Sequence, residues 1–194
     1  MNKQRDEKIS NVLMPHYTQM LMTKYSDTIK FYMVNEEFVI NSFWREFSKG
    51  LSELAKLQKL KVKSDLKYVN ISFLFSAAYG GGNEVKIDFY DNRYYRDIHE
   101  IDCFWNYDCV IKNINDDILS LGNMAKKQIA RYMDYETNLL SPVYYVGCFK
   151  ILMDVVKRIV GSNLFKENIS SLNLSSFKIF FGSYLDQTKC IADF

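Results

Sequence analysis

The chain has 194 residues, 25% of them charged, with a formal net charge of +2. That length suits one domain with a core large enough to need no disulfide or metal staple, and so small a net charge gives no global reason for a nucleic-acid or membrane partner. With only two prolines and no Pro-, Gly- or Ser-rich stretch there is no place for a linker, so residues 1–194 read as a single compact domain.

The charge is unevenly spread: residues 68–136 carry 7 basic and 11 acidic side chains, whereas 1–67 carry 12 and 8. The polar start MNKQRDEKIS leads into no apolar segment of signal-peptide type. The long apolar run at 143–160 is broken by Lys150, Asp154, Lys157 and Arg158, which argues against a membrane span. Four cysteines without framework spacing suit reduced thiols and a cytoplasmic setting. The excess of 19 lysines over 6 arginines, with abundant Asn, Ile and Tyr, suggests an AT-rich coding sequence and a bacterial source.

In chain order, residues 1–14 form a charged lead-in. Pro15 can open a helix, because its missing N–H falls among amides that have no partner in a first turn. Tyr17, Leu21, Tyr25 and Ile29 continue it as an i+4 stripe to about residue 33. Asn35 followed by Glu36 and Glu37 signals a second helix, carrying Val39, Phe43, Phe47, Leu51 and Leu54 on one face.

The sharpest signal follows. Val69, Ile71, Phe73, Phe75 and Ala77 alternate with polar residues, as do Val85, Ile87 and Phe89. Two such runs around a glycine cluster predict an antiparallel hairpin over 67–91. Pairing apolar with apolar sets Ala77 against Ile87, Phe75 against Phe89 and Gly80 against Glu84, leaving Gly81, Gly82 and Asn83 as a three-residue loop.

Further on, 109–111 reads as a short strand. Asn115, Asp116 and Asp117 open a third helix with Ile118, Leu121, Ala125, Ile129 and Tyr132. Ser141 and Pro142 start a fourth, nearly all-apolar and most buried helix that ends at Gly161. Strands within 175–194, turning at Asp186 and Gln187, complete the sheet. The fold class is α+β: an antiparallel sheet of four to five strands packed against about four helices.

Chemistry is harder to find. Gly80, Gly81 and Gly82 join two strands, whereas phosphate loops lead into a helix. Glu84 and Lys86 match the acid-x-lysine part of a metal-nuclease pattern, but the predicted hairpin puts the upstream Asp65 far down the ladder, which leaves the pair as a solvent-facing one. No nucleophile elbow, catalytic dyad, metal-ligand set or cofactor motif stands out. An enzyme or metal site could be centred on His99, Cys103, Cys109 and nearby carboxylates, though their spacing matches no standard zinc pattern. Lys49, Lys56, Lys59, Lys61, Lys63 and Lys67 form a basic run that could track a nucleic-acid backbone, but without arginine or interleaved aromatics.

The richest stretch is 88–108, where seven aromatics lie among acids and arginines. Tyr, Trp and Arg dominate interface energetics, and excess acid steers a basic partner. The candidate partner surface comprises Asp91, Arg93, Tyr94, Tyr95, Arg96, Asp97, Glu100, Asp102, Trp105, Tyr107 and Asp108. The leading expectation is a non-enzymatic cytoplasmic protein that binds a basic protein, an immunity-type inhibitor being its concrete form.

Overall fold

A computed structural model describes residues 3–74, 82–172, 174–183 and 188–194. Two helices lead into the sheet, α1 over Lys3–Val34 and α2 over Glu36–Lys59. Helix α2 follows its apolar spacing. Val39, Phe43, Phe47, Leu51 and Leu54 are all buried, and each such side chain contributes about 1.5–3 kcal/mol relative to exposure. Gly50 lies on the same face, where an added Cβ would collide with the ring of Phe89. Helix and sheet therefore approach more closely there than any larger residue allows.

Helix α1 differs from its expected start. It begins at Lys3 and carries Pro15 inside it. Tertiary contacts outweigh the local signal: Ile9 and Leu13 pack with Ala125, Ile129 and Tyr132, and Arg5 pairs with Glu136 at 2.6 Å. A charged lead-in becomes three further turns.

The sheet contains β1 (Tyr68–Phe73), β2 (Glu84–Tyr90), β3 (Asp102–Asn106), β4 (Lys178–Ser183) and β5 (Thr188–Asp193), in spatial order β3-β2-β1-β4-β5. The antiparallel hairpin forms, but its register differs from expectation. Val69 pairs with Phe89, Ile71 with Ile87 and Phe73 with Val85. Apolar still faces apolar, because the offset from the expected pairing is an even number of residues. The connection is consequently much longer than three residues, and its Gly80–Gly81 part, like Phe75 and Ala77, lies outside the described residues. The third strand is at 102–106, while 109–111 is turn and bend.

The sheet is mixed, not wholly antiparallel: β1 and β4 run parallel, with Tyr68 beside Lys178 and Phe73 beside Ser183. The expected turn at Asp186 and Gln187 lies outside the described residues.

Three helices separate β3 from β4: α3 (Ile114–Gln128), α4 (Asp134–Gly161) and α5 (Asn163–Ser170). Helix α4 starts earlier than the Ser-Pro pair suggested. Glu136 accepts the Met133 N–H at 2.7 Å and holds the first turn, while Ser141 donates to the Thr137 carbonyl and Pro142 sits inside the helix. The expectation of a deeply buried α4 holds, with Tyr144, Leu152, Val155, Val156 and Ile159 all fully enclosed. It is also long and apolar enough to cross a membrane by length and composition, but much of its apolar surface is spent on the core.

Helices α2 and α4 cover one sheet face, where the Phe73 and Phe149 rings stack at 4.1 Å and Phe47 meets Phe89 edge-on. The other face carries Tyr68, Asn70, Ser72, Glu84, Lys86, Asp88, Asp102 and Phe104, by the alternation of the same strands.

Candidate functional site

The stretch 88–108 divides into three environments. The first is an ionic knot between β2 and β3. Asp91 follows β2 directly, and its two carboxylate oxygens accept the Arg93 N–H, the Arg93 guanidinium and the Ser64 N–H. Asp97 accepts the Asp91 and His99 N–H groups and pairs with Lys63 at 2.6 Å, both side chains fully enclosed. Lys63 also donates to the His99 carbonyl. Burial alone would raise the Asp91 carboxyl, but the Arg93 and Ser64 donors outweigh it and bring its pKa down to about 2.

The second environment is core. Trp105 faces α2, donating to the Ser42 hydroxyl and meeting Phe43 edge-on at 5.2 Å. Tyr107 is enclosed against Phe149 and donates to the Gly82 carbonyl. Outside the core, the half-buried Tyr94 packs its ring on Tyr68 and Tyr90. Asp91, Asp97, Trp105 and Tyr107 therefore hold the fold together and do not form a partner surface as the sequence suggested. The Tyr95 side chain lies outside the described residues.

The third environment is solvent-exposed. Arg96, Glu100, Asp102 and Asp108 are exposed, together with the partly exposed Arg93. Two apolar side chains stand among them, Ile98 at 78% and Phe104 at 42% exposure. Phe104 and Asp102 lie on β3, an outer strand with one edge unpaired among the described residues. Glu84, across the sheet from Asn106, is also exposed.

Behind this rim, on the sheet face opposite α2 and α4, sits a cluster of which only Asp102 was expected in the site. Asn70 faces Asp88 across β1 and β2, Asp88 faces Asp102 across β2 and β3, and Ser72 faces Lys86. The Lys86 ammonium lies 2.8 Å from Asp88 Oδ1 and 3.3 Å from Asp102 Oδ2. Far from being a solvent-facing partner of Glu84, Lys86 is buried. Asn70 Oδ1 and Nδ2, Ser72 Oγ and Asp88 Oδ2 are buried without a hydrogen-bond partner. Burial drives the Asp88 carboxyl above its ordinary range, and the nearby Asp102 and Glu100 charges add to that, against the pull of Lys86. The sequence signal for these residues was the alternation itself. It put them on one face but could not distinguish a wet face from a closed one.

The remaining candidates disperse. Cys103 points to α2, where burial pushes its thiol up to about 12, and burial also raises Cys109. Thiols so disfavoured as thiolates are poor metal ligands or nucleophiles. Among the described residues no three His, Cys, Asp or Glu side chains converge as a metal set, so His99, Cys103 and Cys109 are not brought together. In the basic run, Lys63 is enclosed in the ionic knot, and Lys49 and Lys56 pair with Glu46 and Glu53. Lys59 and Lys61 remain exposed and Lys67 half-buried. A cleft of about 530 Å³ lies between α1 and 109–113, lined by Lys24, Asp27, Lys112 and Asp117. Its central charges are already matched, Lys24 to Asp117 at 2.6 Å, with Tyr144 donating to the same carboxylate.

No protein-family model, curated protein or solved structure matches the chain. The fold is α+β with a mixed five-stranded sheet.

Proposed function

We propose that this is a cytoplasmic protein-binding protein whose partner presents a basic surface, inhibition of the immunity type being the concrete form. The observation that carries the reading is the pairing of exposed Ile98 and Phe104 with Glu84, Glu100, Asp102 and Asp108 around the open edge of β3. Apolar side chains supply area at the centre of an interface, while surrounding acids steer a basic partner and raise its association rate. The open strand edge adds backbone donors and acceptors that an incoming chain can pair with. The surface is smaller than the sequence suggested, because Trp105 and Tyr107 are withdrawn into the core.

Affinity capture from the source cell's lysate, comparing the wild type with Ile98→Asp and Phe104→Ala, tests this reading. One basic protein should be enriched by the wild type, depleted by either variant and released by moderate salt. An identical set of captured proteins for all three baits would sink it.

A further inference from the structure

The outer side of α1 is poorly suited to water. From Ile9 to Thr23 the helix carries no Asp, Glu, Lys or Arg. Met14 is 48%, Met22 69% and Tyr25 41% exposed on that side, with Asn11 and Thr18 also exposed. Next to it runs α4, whose Val143 is 51% exposed. The two helices are drawn tight, since the Tyr17 hydroxyl donates to the Val143 carbonyl and a Cβ added at Gly147 would strike Leu21. Between them lies a shallow groove of about 550 Å³, and among the described residues Lys150 is its one charged lining residue. Single exposed apolar side chains are ordinary, but a contiguous row of them marks a contact surface.

Spacing and area identify what covers the row. Asn11, Met14, Thr18, Met22 and Tyr25 are separated by 3, 4, 4 and 3 residues, a series that is the same from either end. At about 100° per residue, Asn11, Thr18 and Tyr25 lie near one line along the helix, and Met14 and Met22 flank it on opposite sides. A two-fold axis at Thr18 therefore makes the row its own complement. Met14 of one copy then lies beside Met22 of the other, and Asn11 beside Tyr25, without like charges meeting anywhere along Ile9–Thr23. A contact over residues 7–29 would be about 34 Å long at 1.5 Å per residue, and two packed helices are about 20 Å across. The resulting area of about 700 Å² per copy is close to the roughly 800 Å² that each partner gives to a stable interface.

We propose that this face is where the protein pairs with a second copy of itself, α1 against α1, antiparallel about a two-fold axis at Thr18. Val143 and the groove along α4 extend the contact to one side of the helix pair. The exposed β3 rim takes no part in lining the groove, so the dimer carries two such rims.

Sedimentation velocity on the full chain, with three variants, tests the pairing. At about 50 µM the wild type should sediment as a dimer, twice the 22.9 kDa of one chain, because interfaces of this size hold at micromolar concentration or below. Met22→Glu buries two carboxylates per dimer and should weaken association by about a hundredfold or more. Its far-ultraviolet spectrum should match the wild type, as suits a side chain 69% exposed. Thr18→Cys locates the axis, in a Cys190→Ser background that removes the exposed native thiol. For helices about 8–10 Å apart, the two Cα atoms at position 18 come to about 4–5 Å, within disulfide range. That variant should oxidise to a covalent dimer, whereas Thr23→Cys, which faces the cleft on the other side of α1, should not. Should Met22→Glu fail to fold, the two cysteine variants decide alone. A monomeric wild type at that concentration would overturn the proposal, even if the groove captured a different protein. So would a dimer that Met22→Glu leaves intact, as a strand-edge contact would give, or Thr18→Cys cross-linking no faster than Thr23→Cys.

Discussion

Two buried ionic clusters lie a few residues apart, and they are built on opposite terms. In the Lys63–Asp91–Arg93–Asp97 knot two cations meet two anions, and all four carboxylate oxygens receive donors. In the Asn70–Ser72–Lys86–Asp88–Asp102 cluster one cation meets two anions, and four polar atoms receive nothing. Similar residue types thus do different work. The knot fastens the loop after β2 to the segment leading into β1, and a buried pair with its hydrogen bonds complete is costly to break from one side. The sheet-face cluster buries four polar atoms with no hydrogen bond in return, which is how binding and catalytic groups tend to differ from structural ones.

The largest test of this contrast is Lys63→Ala. It leaves Asp97 buried without its ammonium and should lower the unfolding free energy by about 3–5 kcal/mol in urea titration. A loss within the ordinary surface range would remove the knot from its structural role. The opposite sign is expected in the sheet-face cluster. Asn70→Leu replaces an unsatisfied amide with an apolar side chain of similar size and should raise stability by about 1–2 kcal/mol. A loss of that size would mean that the amide is satisfied after all.

The two clusters also separate by pH. Asp91 has a folded pKa of about 2, below its unfolded value, so its stabilisation is fully present above the unfolded pKa and disappears as pH falls through about 4 towards 2. Asp88 is raised, so its contribution is present below the unfolded pKa and lost as pH rises through the folded one. Denaturation midpoints followed from pH 2 to 7 should therefore climb less steeply in Asp91→Asn than in wild type. Asp88→Asn should gain relative to wild type towards neutral pH. The smallest effect belongs to the rim: Phe104→Ala should change stability by less than about 0.5 kcal/mol, so any loss of partner capture in that variant reports on binding and not on folding.

Much of the architecture was legible in the sequence, and the gaps have identifiable causes. Alternation in 67–91 correctly placed Val69, Ile71, Val85 and Ile87 on one face, because parity survives any even shift of register. It could not set the offset, which also depends on the connection and on β4 pairing with β1. Strand β3 was missed because Phe104, an aromatic on the polar face, breaks the alternation of Asp102 and Asn106 with Cys103 and Trp105. Pro15 and Pro142 suggested helix starts, but contacts from Ile9, Leu13 and Glu136 carry both helices past them.

The candidate site was legible only at its rim. Glu100, Asp102 and Asp108 stand out in composition, whereas an aromatic-rich stretch reads the same whether its rings face a partner or, like Trp105 and Tyr107, the core. Asn70 and Ser72 look like ordinary solvent-facing strand residues until the burial of their face is known.

The parallel pairing of β1 with β4 has a consequence for how the molecule is made. Tyr68 finds its neighbour Lys178 about 110 residues later in the chain. During synthesis the β2–β1 hairpin therefore emerges with the far side of β1 unpaired, and it stays so until α3, α4 and α5 have followed. Contacts of such long sequence separation form late and slow folding. An exposed strand edge of this kind is where a growing chain is vulnerable to pairing with another copy of itself. Strand β4 is the piece that closes that window, so the sheet is completed only after all the helices have been made.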